Sequence, residues 1–200
     1  MFMKKTLAVL FLALSSPAWA QFAEVWFSGG QNLLSDKTLG SDLIFGGSKN
    51  DVELTDGFRF AFRFTFNGTT FFGHEVQYAY SRTHLRFNDA PGSPETGMAI
   101  HNGGYNFLVY ATREGTRIRP FATGGVGFLN FVPPGQSATS GGGDTKFGLN
   151  YGGGVKMRVM SIFALRFDVR QTTSPKPFNL SLKEGWLRQT ELSAGFGVVF

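Results

Sequence analysis

One pattern restricts the fold of this 200-residue chain more than any other: residues 57–66 read GFRFAFRFTF, a strict alternation of large apolar with small or charged side chains. Successive side chains of a β-strand point to opposite faces. Phe58, Phe60, Phe62, Phe64 and Phe66 therefore share one face, and Gly57, Arg59, Ala61, Arg63 and Thr65 the other. The split recurs. Phe72, Val76, Tyr78 and Tyr80 oppose Gly73, Glu75, Gln77 and Ala79, and Phe147, Leu149, Tyr151, Val155 and Met157 oppose Asn150, Gly152, Gly154, Lys156 and Arg158. Phe163, Leu165, Phe167 and Val169 oppose Ala164, Arg166, Asp168 and Arg170. Leu192, Ala194, Phe196, Val198 and Phe200 oppose Glu191, Ser193, Gly195 and Gly197. Weaker alternation over 22–30, 100–112 and 117–131 brings the expected strands to eight.

A soluble sandwich would bury the apolar face and wet the polar one. Here the second face is Gly, Ala, Ser and Thr with isolated charges, whereas a solvated face is usually richer in Lys, Glu and Thr. Charged residues make up only 16%, against about a quarter in ordinary domains, while the chain holds 23 Phe and 27 Gly. Small residues suit the crowded interior of a narrow closed barrel, and large aromatics suit lipid outside it. The even strand count, with about ten residues per crossing, is what a membrane barrel requires. The expected fold class is therefore all-β: an eight-stranded antiparallel up-and-down transmembrane β-barrel.

Connection lengths alternate as such a barrel demands. Short ones are expected at 67–70, 114–115 and 160–161, and long ones, rich in Gly, Pro, Ser and Asp, at about 35–52, 88–97, 132–145 and 173–185. Three short turns and four long loops put both termini on the periplasmic side. A two-residue turn at Glu114-Gly115 would pair Arg113 with Thr116 and set Ala111 opposite Ile118. Asn67-Gly68 resembles a two-residue hairpin signal, but pairing Phe66 with Thr69 would turn Glu75 and Gln77 towards lipid. A three- or five-residue loop is expected instead, the longer placing Arg63 opposite Glu75.

The first twenty residues, MFMKKTLAVLFLALSSPAWA, carry a basic start at Lys4 and Lys5, an apolar run from Leu7 to Leu14, and Ala18 and Ala20 around Trp19. They read as a signal peptide cleaved after Ala20, leaving a barrel domain over 21–200. An eight-residue apolar run spans only about 12 Å of helix, too short for an anchor. The chain has no cysteine, which excludes a disulfide framework, a thiolate zinc site, an iron–sulfur cluster and a cysteine nucleophile. Without Lys4 and Lys5, 17 of the 19 bases remain against 14 acids, a balance that says little about nucleic acid.

The leader, the strand count, the segment GGGVKMRVMSIFALRFDVRQ from Gly152 to Gln171 and the ending ELSAGFGVVF together resemble the small outer-membrane β-barrels related to outer membrane protein A. The resemblance covers essentially the whole chain after the leader. It implies residence in the outer membrane of a Gram-negative-type bacterium. It also implies that Leu192, Phe196, Val198 and the terminal Phe200 form the signal read by the outer-membrane assembly machinery. The peptidoglycan-binding domain that larger relatives append is not expected, so wall anchoring is not carried over.

On this register the inward charges are Glu24, Glu75, Asp168 and Glu191 against Arg59, Arg63, Arg119, Lys156, Arg158, Arg166 and Arg170. Partly desolvated, each acid should hold at least one Arg. Eight strands leave an interior that side chains about fill, so a structural plug is favoured over an ion path. Trp26 faces inward as lumen filler, whereas Trp186, Tyr78, Tyr80, Tyr105 and Tyr151 are expected in interfacial girdles.

Ser81 and His84 point to opposite faces and cannot form a nucleophile–base pair. The chain lacks HExxH, GxSxG and GK[ST], and the Phe-Arg-Phe runs split their arginines from their aromatics. No catalytic residue, metal site, cofactor or nucleic-acid partner is expected, and the barrel is expected to be a monomer. The expected role is structural or surface-interacting through four extracellular loops. Partners would be outer-membrane lipid, lipopolysaccharide and an extracellular ligand, with the apolar cluster Leu43, Ile44 and Phe45 as the loop contact. The alternatives are a narrow conduit for small apolar molecules and a lipid A-modifying enzyme.

Overall fold

The computed structural model describes residues 23–42, 50–88, 94–178 and 185–200, together with Gly92 and Leu180. The expected leader and the loop contact Leu43, Ile44 and Phe45 lie outside the described residues. The strands are β1 (Ala23–Ser35), β2 (Thr38–Asp42), β3 (Asn50–Leu54), β4 (Gly57–Phe66), β5 (Phe72–Phe87), β6 (Glu95–Tyr110), β7 (Ile118–Val132), β8 (Asp144–Arg158), β9 (Phe163–Pro175) and β10 (Trp186–Val199). Eight of them form a ring in the order β4-β1-β10-β9-β8-β7-β6-β5, closed by β4 against β5, with every neighbouring pair antiparallel. The short hairpin β2–β3 lies outside the ring and docks on the far end of β5, where Val52 to Leu54 pair with Phe87 to Leu85. Sequence and structure therefore agree on a closed eight-stranded up-and-down barrel.

The alternation sets the wall. Phe58, Phe60, Phe62, Phe64 and Phe66 are exposed outwards, as are Phe27, Val76, Tyr78, Phe128, Phe147, Phe167, Val169 and Phe196. Their alternate neighbours Arg59, Arg63, Glu75, Gln77, Asp168 and Arg170 are buried. The apolar outward run covers about nine residues on β4 and β5. At about 3.3 Å per residue and a tilt of about 40° this makes a band of about 23 Å, the height of a bilayer's hydrocarbon layer as barrels meet it. A Cβ at Gly197 would come within 2.4 Å of the Trp26 ring, so only glycine there lets that indole lie flat inside the wall.

Several expectations need correction. The strands run further than the alternation suggested: β1 reaches Ser35 rather than Gly30, β5 reaches Phe87 rather than Tyr80, and β10 begins at Trp186 rather than Glu191. In these extensions the two faces exchange polarity, so the lipid-facing pattern stops while the strand does not. Trp186 sits there, separated from the apolar band by outward Arg188 and Thr190.

Both short-turn registers are two residues off. Arg63 pairs with Gln77, and Thr65 is opposite Glu75. The reason lies in Asn67, which is buried and bonded to Glu24 and Tyr110 inside the barrel, so the chain stays extended through it and turns later. At the next turn Thr116 N–H does bond to the Arg113 carbonyl, with Gly115 supplying the φ of 85°. The ladder then resumes with Ala111 on Pro120 rather than on Ile118, because the second strand takes up two extra residues that bring Arg119 into the lumen. A shift of two keeps every side chain on its expected face.

Candidate functional site

The lumen is organised in layers along the barrel axis. Nearest the termini, Glu24 on β1 is ion-paired to Lys156 on β8 and accepts hydrogen bonds from Trp26 Nε1 and Asn67 Nδ2, both at 2.9 Å. Lys156 also donates to Tyr110 OH at 2.8 Å, and Tyr110 OH donates to Asn67 Oδ1 at 2.8 Å. Arg119 lies 3.5 Å from the centroid of the Tyr110 ring and donates to the Thr70 carbonyl at 2.9 Å. Glu24 thus holds a lysine and not the arginine expected for each acid. Arg158 remains only half-buried at the rim.

The middle layer joins β4, β5, β9 and β10. Arg166 forms a two-pronged contact with Asp168, at 2.8 and 3.0 Å, and reaches across the lumen to Glu75 at 2.6 Å. Arg170 bridges the same two acids at 2.9 and 3.1 Å. On the other side Glu191 is held by Arg63, by Arg59 at 3.0 Å and by Ser193 at 2.6 Å. Arg63 links the halves, its guanidinium lying 3.9 Å from Glu75 and 4.0 Å from Asp168. Among the described residues of these two layers, four buried carboxylates meet six buried bases, and each carboxylate has a cation against it. Taking such charges out of water costs several kcal/mol per ion unless they are paired, which is why the acids and arginines occur as a network and not singly.

Above the charges lies a layer of amides and hydroxyls, with Asn32 donating to Gln189 at 3.3 Å and Gln77 to Asn102 at 3.4 Å. Above that, where the strands extend beyond the apolar band, Leu34, Leu39, Val52, Leu54, Leu85, Met98, Ile100, Leu129, Phe131 and Leu187 form one buried apolar cluster, with Phe87, Phe178 and Leu180 packed against it. Six of these, Leu39, Leu54, Ile100, Leu129, Phe131 and Leu187, have no exposed surface at all.

The expected lumen network, Arg59, Arg63, Glu75, Lys156, Arg166, Asp168, Arg170 and Glu191, is thus buried inside the barrel. Lys156 belongs to the separate Glu24 layer. Leu192, Phe196 and Val198 face outwards on β10, the strand paired with β1, and Phe200, just past its end, is exposed with its N–H bonded to the Ala23 carbonyl at 2.9 Å. Sequence reasoning missed the apolar cluster and the parts of Tyr110 and Asn67. Tyr110 continues the period-two series of Asn106 and Leu108, a signal present in the chain but hidden by the weak outward face of β6.

Two acids outside the spanning segments differ in sign. Burial pushes the Glu114 carboxyl, in the β6–β7 turn, above the ordinary range, with the charge of Arg119 pulling the other way. Its Oε1 is buried without a hydrogen-bond partner. Asp56, between β3 and β4, would also be raised by burial, but the Leu34 N–H at 2.7 Å and Lys37 at 3.1 Å bring it below the usual carboxylate value. Among the described residues no group of His, Asp and Glu is arranged to hold a metal ion.

An apolar outer band around a polar, ion-paired interior defines a membrane-spanning β-barrel with an occupied lumen. Residues 6–200 match the model of the outer membrane protein beta-barrel domain family, and the chain belongs to that family. It is an outer-membrane protein. Neisserial surface protein A is similar in fold, with a TM-score of 0.60 and 19% identity over 89% of this chain and 97% of that one. OprG from Pseudomonas aeruginosa follows at 0.57 and 13%, over 90% and 97%. The outer membrane protein AlkL, solved in lipid bilayers, gives 0.53 and 17%, over 93% of each chain. No curated protein matches the sequence.

Proposed function

We propose that this protein is a non-catalytic surface barrel whose lumen is a structural plug and whose extracellular loops and strand extensions make its contacts. The observation that carries this reading is a double closure. Any solute entering the lumen would have to part the sealed apolar cluster and then break a charge layer in which Arg166, Arg170 and Arg63 tie opposite walls together. The short connections lie at the same end as the Ala23–Phe200 contact and the longer ones at the other, which supports termini in the periplasm. The eight-stranded ring leaves no free edge of its own to pair with a second chain, which supports a monomer.

A lipid A-modifying enzyme has less support. Ser81 is buried towards the lumen and His84 is exposed outwards, while Nδ1 of His74 and Nδ1 of His101 are bonded to the hydroxyls of Tyr105 and Tyr78. The conduit for small apolar molecules has one observation in its favour, the apolar lining of the extracellular end.

Planar bilayers separate the readings. The purified protein is expected to show no steady conductance, and a stable open channel would overturn the plug and favour a conduit. Replacing Leu43, Ile44 and Phe45 together with Ser should leave folding and heat-modifiable migration intact while weakening binding of the displayed protein to lipopolysaccharide or neighbouring cells. Unchanged binding would remove that loop from the reading. Phe200→Ser should reduce insertion into the outer membrane if the assembly machinery reads the chain's end, and normal insertion would dismiss that role.

A further inference from the structure

The short-turn mouth of the barrel carries charge that the lumen network does not neutralise. On the β7–β8 ladder Arg119 stands directly opposite Lys156, and one step further out the Arg158 N–H bonds to the Arg117 carbonyl at 2.8 Å. Arg117 and Arg158 are thus neighbours across the ladder, and alternation places them on the lumen face with Arg119 and Lys156. Like charges set directly opposite one another on a sheet repel. Two such pairs lying so close together call for negative charge nearby. Glu24 supplies it for Lys156. Among the described residues, no carboxylate forms an ion pair with Arg113, Arg117, Arg119 or Arg158. Bases at the opposite end differ, since Lys37, Arg86, Lys146 and Arg188 each face an acid.

The mouth has shape as well as charge. Arg119 is buried, stacked on the Tyr110 ring and bonded to the Thr70 carbonyl, yet its Nε has no hydrogen-bond partner. It lines a cleft of about 30 Å³ together with Glu114, Thr116, Lys156 and Arg158. Such a cleft admits an oxygen atom or two and no organic ligand. Arg158 is half-buried at its edge and Arg117 is exposed beside it. Glu114 also lines the cleft, but its Oε1 accepts no hydrogen bond from any of these bases.

We infer that the short-turn mouth binds a phosphate group, one oxygen entering the cleft beside Arg119 and the others held by Arg117 and Arg158. Guanidinium forks bond phosphate oxygens in pairs. A phosphate also brings more negative charge and more oxygens than a carboxylate, which suits a site with several arginines. Two sources offer this chemistry. Soluble phosphates reach the mouth from the aqueous side. Phospholipid headgroups lie at its level, because Ile118, Val159, Met160 and Ile162 are exposed on the same rim and carry the apolar wall to this end of the barrel. The site stands apart from the loops and from the question of whether the lumen conducts.

Calorimetric titration of the folded barrel in an uncharged glucoside detergent with inorganic phosphate, at an ionic strength fixed with chloride, tests the site. Replacing Arg117 and Arg158 together with Gln should weaken binding by about tenfold, equivalent to about 1.4 kcal/mol. Both residues lie at the rim and hold no acid, so the variant can fold, which heat-modifiable migration verifies. Glu114→Gln should bind phosphate more tightly, because a negative charge leaves the cleft. Replacing Arg86 and Arg188 with Gln removes the same charge from the other end and should leave binding unchanged. Native mass spectrometry with phosphatidic acid and with the matching diacylglycerol separates the sources. A headgroup occupant is shown by retention of phosphatidic acid alone, lost in the Arg117 and Arg158 variant; a soluble one by a response to inorganic phosphate only. Wild type that binds neither probe, an equal loss in the Arg86 and Arg188 variant, or acetate bound as tightly as phosphate would each overturn the inference.

Discussion

Along β5 the outward residues run Phe72, His74, Val76, Tyr78 and Tyr80, then Arg82, His84 and Arg86, while the inward ones run Glu75, Gln77, Ala79, Ser81 and Thr83, then Leu85. One strand thus carries two opposite patterns. Below Tyr80 the apolar face is outside and the polar face inside; beyond Arg82 the polar face is outside and the apolar face inside. β10 makes the same exchange between Leu192 and Leu187, and β7 between Phe128 and Phe131. The hydrogen-bonded ring is continuous through the change, so the backbone does not choose the pattern. The surrounding solvent does. In lipid the wall is apolar and the interior carries the polar groups; in water the extension is built like an ordinary soluble core. The level of exchange, marked outwards by Gln31, Arg82, Gln171 and Thr190, locates the edge of the membrane band away from the chain termini.

If the two regions are held by different forces, they should break differently. The largest effect is expected in the spanning half. Arg166→Met leaves Glu75 and Asp168 with fewer cations in a dry interior, and should cost about 3–5 kcal/mol in urea unfolding from lipid vesicles. The double variant with Glu75→Gln should recover much of that loss, a coupling of more than about 1 kcal/mol. The register also sharpens an expectation drawn from the sequence. Arg63 has Glu191 as its nearest acid and Glu75 only at 3.9 Å, so Arg63→Met and Glu75→Gln should couple more weakly than the Arg166 pair. Equal coupling in both cycles would mean that the charge layer acts as one diffuse field.

Leu129→Ala addresses the other region. Leu129 is fully buried in the apolar cluster of the strand extensions, so truncation should cost about 2–3 kcal/mol through lost burial and a cavity. The loss should be local. Amide exchange should quicken in the extensions of β5, β6 and β7, while the spanning segments stay protected and migration stays heat-modifiable. Uniform loss of protection down to the short turns would show that the two regions do not fold as separate units.

The fold was legible in the sequence because lipid imposes an unusual pattern, large aromatics against small and charged residues, that a soluble strand rarely shows. Arg59, Arg63, Glu75 and Asp168 were assigned to the lumen from that pattern alone. Beyond Tyr80 the pattern no longer distinguishes strand from loop, since Arg82-Thr83-His84-Leu85-Arg86 fits a soluble strand whose core partners are far away in sequence. The register at the short turns was also hidden. Asn67 is a common turn residue, and only the tertiary structure shows its side chain bonded to Glu24 and Tyr110 in the lumen.

Smaller effects are expected at the two rims, with opposite dependence on pH. Asp56 accepts the Leu34 N–H and pairs with Lys37, and its carboxyl is held below 3.8. A depressed folded value gives stability that is present above 3.8 and lost as pH falls through the folded value. Because Asp56 is largely solvent-exposed, Asp56→Asn should cost only about 1 kcal/mol at pH 7. The difference should vanish in acid. A variant that is equally unstable at every pH would mean that the hydrogen bond, and not the charge, is what matters.

Glu114, in the β6–β7 turn, is the mirror case. Burial raises its carboxyl above 4.5, so the folded protein holds the proton more tightly than the unfolded chain. Its stabilising contribution is then complete below 4.5 and is lost as pH rises through the folded value. At pH 7 the ionised group has an acceptor oxygen buried without a donor, and Glu114→Gln should be more stable than wild type by at most about 1 kcal/mol. Below pH 4.5 the two should unfold at the same urea concentration. The same measurement on Asp56→Asn should slope the other way, because that acid is held by donors and this one by none at Oε1. A Gln variant less stable than wild type at pH 7 would show that Arg119, which lies over Tyr110 at this mouth, holds the ionised carboxylate more strongly than burial disfavours it.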